Sequence, residues 1–143
     1  MNLQTSELQM LLDRMAIQDV LVAYCHAVDT RDWTTFSKLF TAEATLDFSA
    51  FGGPVCGVPA MVEFLEGVLG SMRPGQHTIS TSQVEINADH ATARTAAHVT
   101  MGSRLEEAPG ITQVGLWYRD TLVRTSQGWR IASRTQEYGW VRS

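Results

Sequence analysis

The stretch YCHAVDTRDW, residues 24–33, is predicted to hold the junction between a long amphipathic helix and a second, shorter helix. Upstream of it, apolar residues recur every three or four positions between Leu8 and Val28, which is the spacing of a helix with one buried face. Ser6 followed by Gln9 fits a capping box at the start of that helix. The junction therefore places a phenol and a carboxylate beside an apolar stripe, as at the mouth of an apolar binding pocket.

The rest of the chain is predicted to add strands and one more helix. Thr30 is expected to cap the second helix, which runs through Trp33 to Phe40. Residues 44–51 alternate polar and apolar side chains as a half-buried strand does, and residues 58–69 return to helical spacing. Hairpin-type turn residues then separate four long strands, at residues 76–87, 91–104, 110–125 and 128–140. Helices first and a curled antiparallel sheet after predict an α+β fold with the helices covering one face of the sheet.

Length and composition indicate one globular domain spanning residues 1–143. The 143-residue chain is 44% hydrophobic and 18% charged, and its formal net charge is -4. Because phosphate binding requires clustered Lys and Arg, a chain whose one lysine is Lys38 is not expected to bind nucleic acid. There is no leader-like N-terminus and no run of roughly 18 apolar residues, so we expect a cytoplasmic protein with no membrane partner. Cys25 and Cys56 lie in no metal or redox spacing, and no disulfide is implied.

Three residues are candidates for acid–base chemistry. His77 follows a Pro-Gly break and shares a strand face with Ile79, so it faces the core if Ile79 does. Taken singly, each candidate has a structural explanation: His77 as a strand-start histidine bonded to a carbonyl, Asp29 as a helix cap, and Tyr24 as a core tyrosine. Taken together, a carboxylate that accepts from one imidazole nitrogen leaves the other nitrogen free as a general base.

Further polar side chains lie on strand faces whose orientation the alternation leaves open. The face that carries His98 fits a pocket wall and the solvent side equally well. Tyr118 and Arg124 share one face of their strand, and the pattern does not show whether that face is inside. Arg134 and Gln136 are possible pocket-rim groups, although a solvated strand face explains them better.

The histidines do not indicate a metal site. No pair of them has the HxH or HxxxH spacing that metal ligands on one strand or helix face usually show. His26 lies off the centre of the apolar stripe and is expected at the surface or an interface, and His90 lies next to a turn and is expected to be exposed. Neither a metal nor any other cofactor is expected.

Several motifs together resemble the SnoaL-like proteins of the nuclear transport factor 2-like superfamily. The matching segments are AIQD at 16–19, Tyr24 with VDTRDW at 28–33, QHTIS at 76–80, YRD at 118–120, VRT at 123–125 and GWRI at 128–131. The resemblance covers nearly the whole chain. It implies a cone-shaped α+β barrel, in which N-terminal helices and a strongly curved antiparallel sheet enclose one deep pocket.

The resemblance also implies site residues. Scytalone dehydratase, hexachlorocyclohexane dehydrochlorinase and bile-acid 7α-dehydratase, all of this superfamily, pair an aspartate at the position similar to Asp29 with a histidine similar to His77. The bile-acid enzyme also resembles this chain at Tyr24. Scytalone dehydratase has a second pocket histidine that resembles His98, and the dehydrochlorinase has an arginine near its last hairpin that resembles Arg124.

These similarities imply a cofactor-independent lyase that removes water from a small hydroxylated cyclic or polyketide-like molecule. An isomerase or cyclase would use the same base, and a noncatalytic small-molecule binding module, such as a dioxygenase small subunit, is the alternative from another class. A homo-dimer or homo-trimer is expected. The expected catalytic residues are His77, Asp29 and Tyr24, and the expected substrate contacts are His98, Arg124 and Tyr118.

Overall fold

A computed structural model describes residues 3–143 of the chain, with side chains from residue 4 onward. The elements, in chain order, are α1 (Leu3–Thr30), α2 (Trp33–Lys38), β1 (Phe40–Asp47), a 3-10 turn (Ser49–Phe51), β2 (Val55–Cys56), α3 (Val58–Leu69), β3 (Gln76–Asn87), β4 (His90–Gly102), β5 (Ile111–Thr125) and β6 (Gly128–Arg142). The predicted α+β class is confirmed.

The six strands form one curved sheet in the order β2-β1-β6-β5-β4-β3. Strands β3 to β6 pair consecutively and antiparallel, which is the meander that the turn residues predicted. Strand β1 lies beside β6 in parallel orientation and pairs antiparallel with the short β2. Helix α1 contacts β3 and β6, and α3 contacts β1, so the helices cover the inner face of the sheet.

The junction between α1 and α2 differs from the prediction in its cap. Asp32, not Thr30, caps α2, because the Asp32 carboxylate accepts a hydrogen bond from the Thr35 backbone N–H at 3.0 Å. Thr30 lies inside α1 and donates its hydroxyl to the His26 carbonyl. Arg31 makes the turn with φ of 57°, a left-handed conformation that few non-glycine residues adopt. Asp29 is therefore free of any capping role in α2.

Two further boundaries differ from the prediction. Helix α1 already includes Leu3, the first described residue, so Ser6 lies inside the helix and is not its cap. Strand β1 covers Phe40–Asp47 and not residues 44–51. It ends at Asp47 because the Asp47 carboxylate accepts from both the backbone N–H and the hydroxyl of Ser49, which turns the chain out of the sheet.

The apolar face predicted for the first turns of α1 is not the face that packs on the sheet. The expected inward face of the first turns is exposed, with relative exposures of 50% to 57% at Leu8, Leu11, Leu12 and Met15. Burial begins at Asp13 and becomes apolar at Ile17, where the helix passes over the sheet. From there, side chains of α1, α2, β1, α3, β4, β5 and β6 form the core, including Ile17, Leu21, Phe36, Leu46, Met61, Val99, Leu122 and Ile131.

None of the helices within residues 3–143 has both the length and the apolar character that are needed to cross a membrane.

Candidate active site

A cavity of about 380 Å³ lies between the C-terminal end of α1, α3 and the inner face of the sheet. Its wall is mostly apolar, with Val28 of α1, Phe64 of α3 and Leu116 of β5 among the contributing side chains. An apolar cavity with a few convergent polar groups is the usual form of a small-molecule site. Those polar groups are Tyr24, Asp29, Arg31, Arg73, Gln76, His77, Thr100, Thr112, Tyr118 and Gln136.

Asp29 and His77 meet at the wall of this cavity. Asp29 lies in the last turn of α1, and His77 is the second residue of β3. The Nδ1 atom of His77 is 2.6 Å from Asp29 Oδ1, and the His77 backbone N–H also donates to Oδ1 at 3.1 Å and Oδ2 at 2.9 Å. The His77 and Asp29 side chains are 14% and 19% exposed, so the contact is largely shielded from bulk water. The structure thus brings together two of the residues that the sequence analysis singled out.

The contact with Asp29 fixes the tautomer of the imidazole. A carboxylate only accepts hydrogen bonds, so the proton in the 2.6 Å contact belongs to Nδ1 of His77. In the neutral ring, Nε2 then carries a lone pair and is able to take a proton. Asp29 is held by the His77 backbone as well as by the ring, which restricts rotation of both side chains.

Tyr24 and Tyr118 extend the polar side of the cavity away from His77. The Tyr24 ring packs edge-on against the His77 ring at a centroid distance of 6.3 Å and against the Tyr118 ring at 5.5 Å. Both tyrosines are almost fully buried, at 2% and 1% exposure. Both side chains line the cavity. Tyr24 therefore points inward, as predicted, and the face of β5 that carries Tyr118 is the inner face of the sheet.

A buried ion pair supports the two tyrosines. The guanidinium carbon of Arg134 lies 4.1 Å from the Tyr24 ring centroid and 4.0 Å from the Tyr118 ring centroid. Its Nε and Nη2 atoms donate to the two carboxylate oxygens of Asp120, at 2.7 and 2.9 Å. Arg134 is 1% exposed, so the explanation of this residue as part of a solvated strand face is wrong.

Burial controls the ionisation of the tyrosines. It raises the pKa of Tyr24 to about 12, although the positive charge of Arg134 opposes the shift. Burial likewise raises the pKa of Tyr118 well above its ordinary value, with the neighbouring Tyr24 adding to the shift. Both phenols are therefore neutral near pH 7 and keep a proton that they can donate in a hydrogen bond.

His98 does not line the cavity. The side chain is exposed on the outer face of β4, where its ring lies 5.3 Å from that of Trp140. Its strand neighbour Val99 lines the cavity, whereas His98 is not among the lining residues. The predicted contact between His98 and a substrate in this cavity is corrected accordingly.

Arg124 also lies away from the cavity. Its Nη1 and Nη2 atoms donate to the Asp13 carboxylate at 2.6 and 2.9 Å, and its Nε donates to Asp89 at 2.8 Å. The guanidinium group also stacks on Trp129, at 4.7 Å from the ring centroid. Arg124 thus ties α1 to the sheet at the end remote from His77, and the predicted substrate contact is corrected to a structural one.

Sequence reasoning missed the pair of Arg134 and Asp120 and the cavity positions of Arg31 and Arg73. One signal was present, because Asp120 shares its strand face with Tyr118 and Leu122. If that face is inside, a buried carboxylate requires a cationic partner. Among the described residues, no group of three or more His, Cys, Asp and Glu side chains is arranged to bind a metal ion.

Residues 9–135 match the SnoaL-like domain family. The chain belongs to this family. The SnoaL-like chain is 34% identical to the uncharacterized protein Rv2910c of Mycobacterium tuberculosis over 127 residues, which cover 87% of this chain and 84% of the relative.

Solved structures show the same fold. A hexachlorocyclohexane dehydrochlorinase (LinA) of type 2 superposes with a TM-score of 0.83 at 17% identity, covering 94% of this chain and 90% of that one. A candidate scytalone dehydratase of Novosphingobium aromaticivorans superposes with a TM-score of 0.82 at 18% identity, covering 92% and 87%. These neighbours confirm the nuclear transport factor 2-like fold that the sequence motifs implied.

Proposed function

We propose that this protein is a cofactor-independent lyase of the dehydratase type, acting on a small hydroxylated cyclic or polyketide-like molecule. The observation that carries the proposal is the 2.6 Å contact between Asp29 and His77 Nδ1 at the wall of an apolar cavity. This arrangement leaves Nε2 of His77 as the base. The dehydratase and dehydrochlorinase names of two structural neighbours support the same reaction class.

In the proposed reaction, Nε2 of His77 removes a proton from a carbon next to the carbon that bears the hydroxyl group. The electrons of the broken C–H bond form a carbon–carbon double bond, and the C–O bond breaks. The departing hydroxide takes the proton from the His77 imidazolium, so the products are one water molecule, the alkene and the starting form of the histidine. Asp29 favours the imidazolium through its negative charge and holds the ring in place.

Tyr24 is proposed to donate a hydrogen bond to the leaving hydroxyl or to a substrate carbonyl. Its ring lies against the His77 ring, and its raised pKa keeps the phenol protonated throughout the neutral range. Tyr118 and the buried Arg134 also pack against the Tyr24 ring. Negative charge that develops on a substrate oxygen near Tyr24 is stabilised by this donor and by the positive charge behind it.

The test is turnover of a panel of hydroxylated cyclic compounds, followed by the absorbance of the new double bond. His77→Gln is expected to lower kcat by about two to four powers of ten, because it removes the base. Asp29→Asn is expected to lower kcat less, because the base remains but its orientation and charge stabilisation are weakened. His98→Gln, which changes an exposed histidine on the outer face, is the matched control and is expected to leave kcat unchanged.

Full activity in His77→Gln would overturn the proposed mechanism. Binding of ligands in the cavity without turnover of any compound that wild type binds would favour the noncatalytic binding module. An isomerase or cyclase would be recognised by a product that has the mass of the substrate, because no water is lost.

A further inference from the structure

Two arginines line the cavity without a carboxylate partner. Arg31 donates from Nη2 to the Met72 carbonyl at 2.9 Å, and Arg73 donates from Nη2 to the Glu107 carbonyl at 3.1 Å. Neither guanidinium forms an ion pair with an Asp or Glu side chain in the described part of the chain. By contrast, Arg94, Arg124 and Arg134 each pair with a carboxylate there. The two cavity arginines are thus held by backbone carbonyls, which leave their charge uncompensated.

The Nε–H donor of Arg73 is buried and has no hydrogen-bond partner among the described residues. Buried donors normally form a hydrogen bond, because a donor that is removed from water and left unpaired destabilises the folded protein. The Arg73 side chain thus lies on the cavity wall with hydrogen-bonding capacity that the described residues do not use.

The backbone holds Arg73 in place. The Arg73 backbone N–H donates to the Ser103 carbonyl at 2.9 Å. The packing opposite is so close that a Cβ built on Gly102 would lie 2.7 Å from Arg73 Cβ. Arg31 is fixed at the end of α1 by its left-handed backbone conformation and by its bond to Met72. Both cations are therefore positioned on one wall of the cavity before any ligand arrives.

The charges of the cavity wall favour an anion. Its charged residues are Asp29, Arg31 and Arg73, and Asp29 is already engaged by His77. With His77 neutral, two guanidinium groups against one carboxylate leave one positive charge. Beside the apolar cavity wall such an excess charge attracts an oppositely charged ligand group more strongly than at the open surface, because the wall excludes part of the screening water.

We propose that the molecule this cavity takes is a cyclic or chain-like carboxylate, whose carboxylate is anchored by the guanidinium groups of Arg73 and Arg31. This inference rests on the proposed function only in taking the same cavity as the substrate site. A carboxylate fits because it neutralises the single excess charge and its two oxygens match the planar donors of arginine. The apolar body of the molecule lies against side chains such as Phe64 and Leu116, and the anchor fixes its orientation toward His77.

The experiment measures binding of two probes of nearly equal shape by calorimetry, 2-naphthoate and its neutral amide, 2-naphthamide. Wild type is expected to bind 2-naphthoate more tightly. Arg73→Met is expected to weaken the binding of 2-naphthoate by about 10- to 100-fold, because the charge-assisted hydrogen bonds to its carboxylate are lost. The affinity for 2-naphthamide is expected to change by no more than about twofold. Arg31→Met is expected to act in the same direction and serves as the second variant if Arg73→Met folds poorly.

Arg104→Met is the matched control. Arg104 has the same charge and lies beside Met72 in a short bridge, but its side chain is 64% exposed and does not line the cavity. Its loss is expected to leave both affinities unchanged. Equal affinity of wild type for the two probes, no binding of 2-naphthoate, or equal weakening of both probes by Arg73→Met would overturn the anchor.

The variants distinguish a failure of the proposed carboxylate anchor from a failure of the proposed reaction. His77→Gln is expected to keep the preference for 2-naphthoate over 2-naphthamide, because the base does not hold the carboxylate. If His77→Gln retains full turnover while Arg73→Met loses the preference, the mechanism is wrong and the anchor stands. If His77→Gln abolishes turnover while no variant changes the preference, the mechanism stands and the anchor is wrong.

Discussion

Removing the carboxylate of Asp120 is expected to destabilise the protein by about 3–5 kcal/mol, because it leaves the Arg134 charge buried without a counter-ion. The Arg134 and Asp120 side chains are 1% and 0% exposed, and two hydrogen bonds of 2.7 and 2.9 Å join them. In Asp120→Asn the amide oxygen still accepts one of these bonds, but the negative charge is lost. At this chain length, such a loss corresponds to a fall in Tm of roughly 10 °C or more.

The assay is urea unfolding followed by circular dichroism, with Glu137→Gln as the matched control. Glu137 also accepts two hydrogen bonds from an arginine, Arg94, at 3.0 and 3.2 Å, but that pair lies on the outer face with side chains 41% and 35% exposed. The control is expected to cost far less than Asp120→Asn, because water screens the exposed pair.

A double variant separates the charge from the packing. Asp120→Leu with Arg134→Met replaces the ion pair by apolar side chains and is expected to cost less than Asp120→Asn alone, because no charge is left buried. If Asp120→Asn costs no more than Glu137→Gln, or if the double variant is the less stable of the two, the account of this pair is refuted.

Three further predictions concern pH and packing. Below pH 10, Tyr24 is protonated in both the folded and the unfolded protein. Between pH 10 and about 12 it ionises only in the unfolded protein, so the free energy of unfolding falls by about 3 kcal/mol in total over that range. Tyr24→Phe is expected to remove this part of an alkaline unfolding profile. The hydrogen bond from Arg124 lowers the pKa of Asp13 to about 2. The ionised Asp13 therefore stabilises the folded protein fully above pH 3.8, and this stabilisation is lost as the pH falls through about 2. Arg124→Met is expected to move the midpoint of acid unfolding to higher pH. In urea unfolding, Leu122→Ala is expected to lower the free energy of unfolding by about 2–5 kcal/mol, because Leu122 is fully buried. Leu11→Ala, at a site that is 56% exposed, is expected to lower it by less than about 0.5 kcal/mol. A large loss in Leu11→Ala would show that a partner covers α1.

The fold was largely predictable because its signals are local. Turn residues separated β3 to β6 correctly, and helical spacing identified α1 and α3. The first turns of α1 were misjudged because two different apolar faces of the helix were read as one. With about 3.6 residues per turn, Leu8 lies on roughly the opposite side of the helix from Ile17, so the exposed leucines are not on the face that packs on the sheet.

The candidate site was predictable only in part. The alternation of side chains along a strand shows which residues share a face, but not which of the two faces lines the cavity. Asp29 and His77 come together as the motifs implied, while His98 lies on the opposite face from Val99. Arg134 was misassigned for a different reason. The pairing of β5 with β6 shifts register between Ile131 and Ser133, which reverses the alternation and turns Arg134 inward to meet Asp120.

The central claim is that Asp29 holds the His77 ring with its proton on Nδ1 and leaves Nε2 as the base. Long-range proton–nitrogen NMR correlation of the histidine rings measures which nitrogen carries the proton, and it requires no substrate. In wild type, at a pH where the ring is neutral, we expect a protonated Nδ1 and an unprotonated Nε2 for His77, and in Asp29→Ala a mixture of tautomers. A wild-type His77 with its proton on Nε2, or the same tautomer mixture in both proteins, would contradict the account.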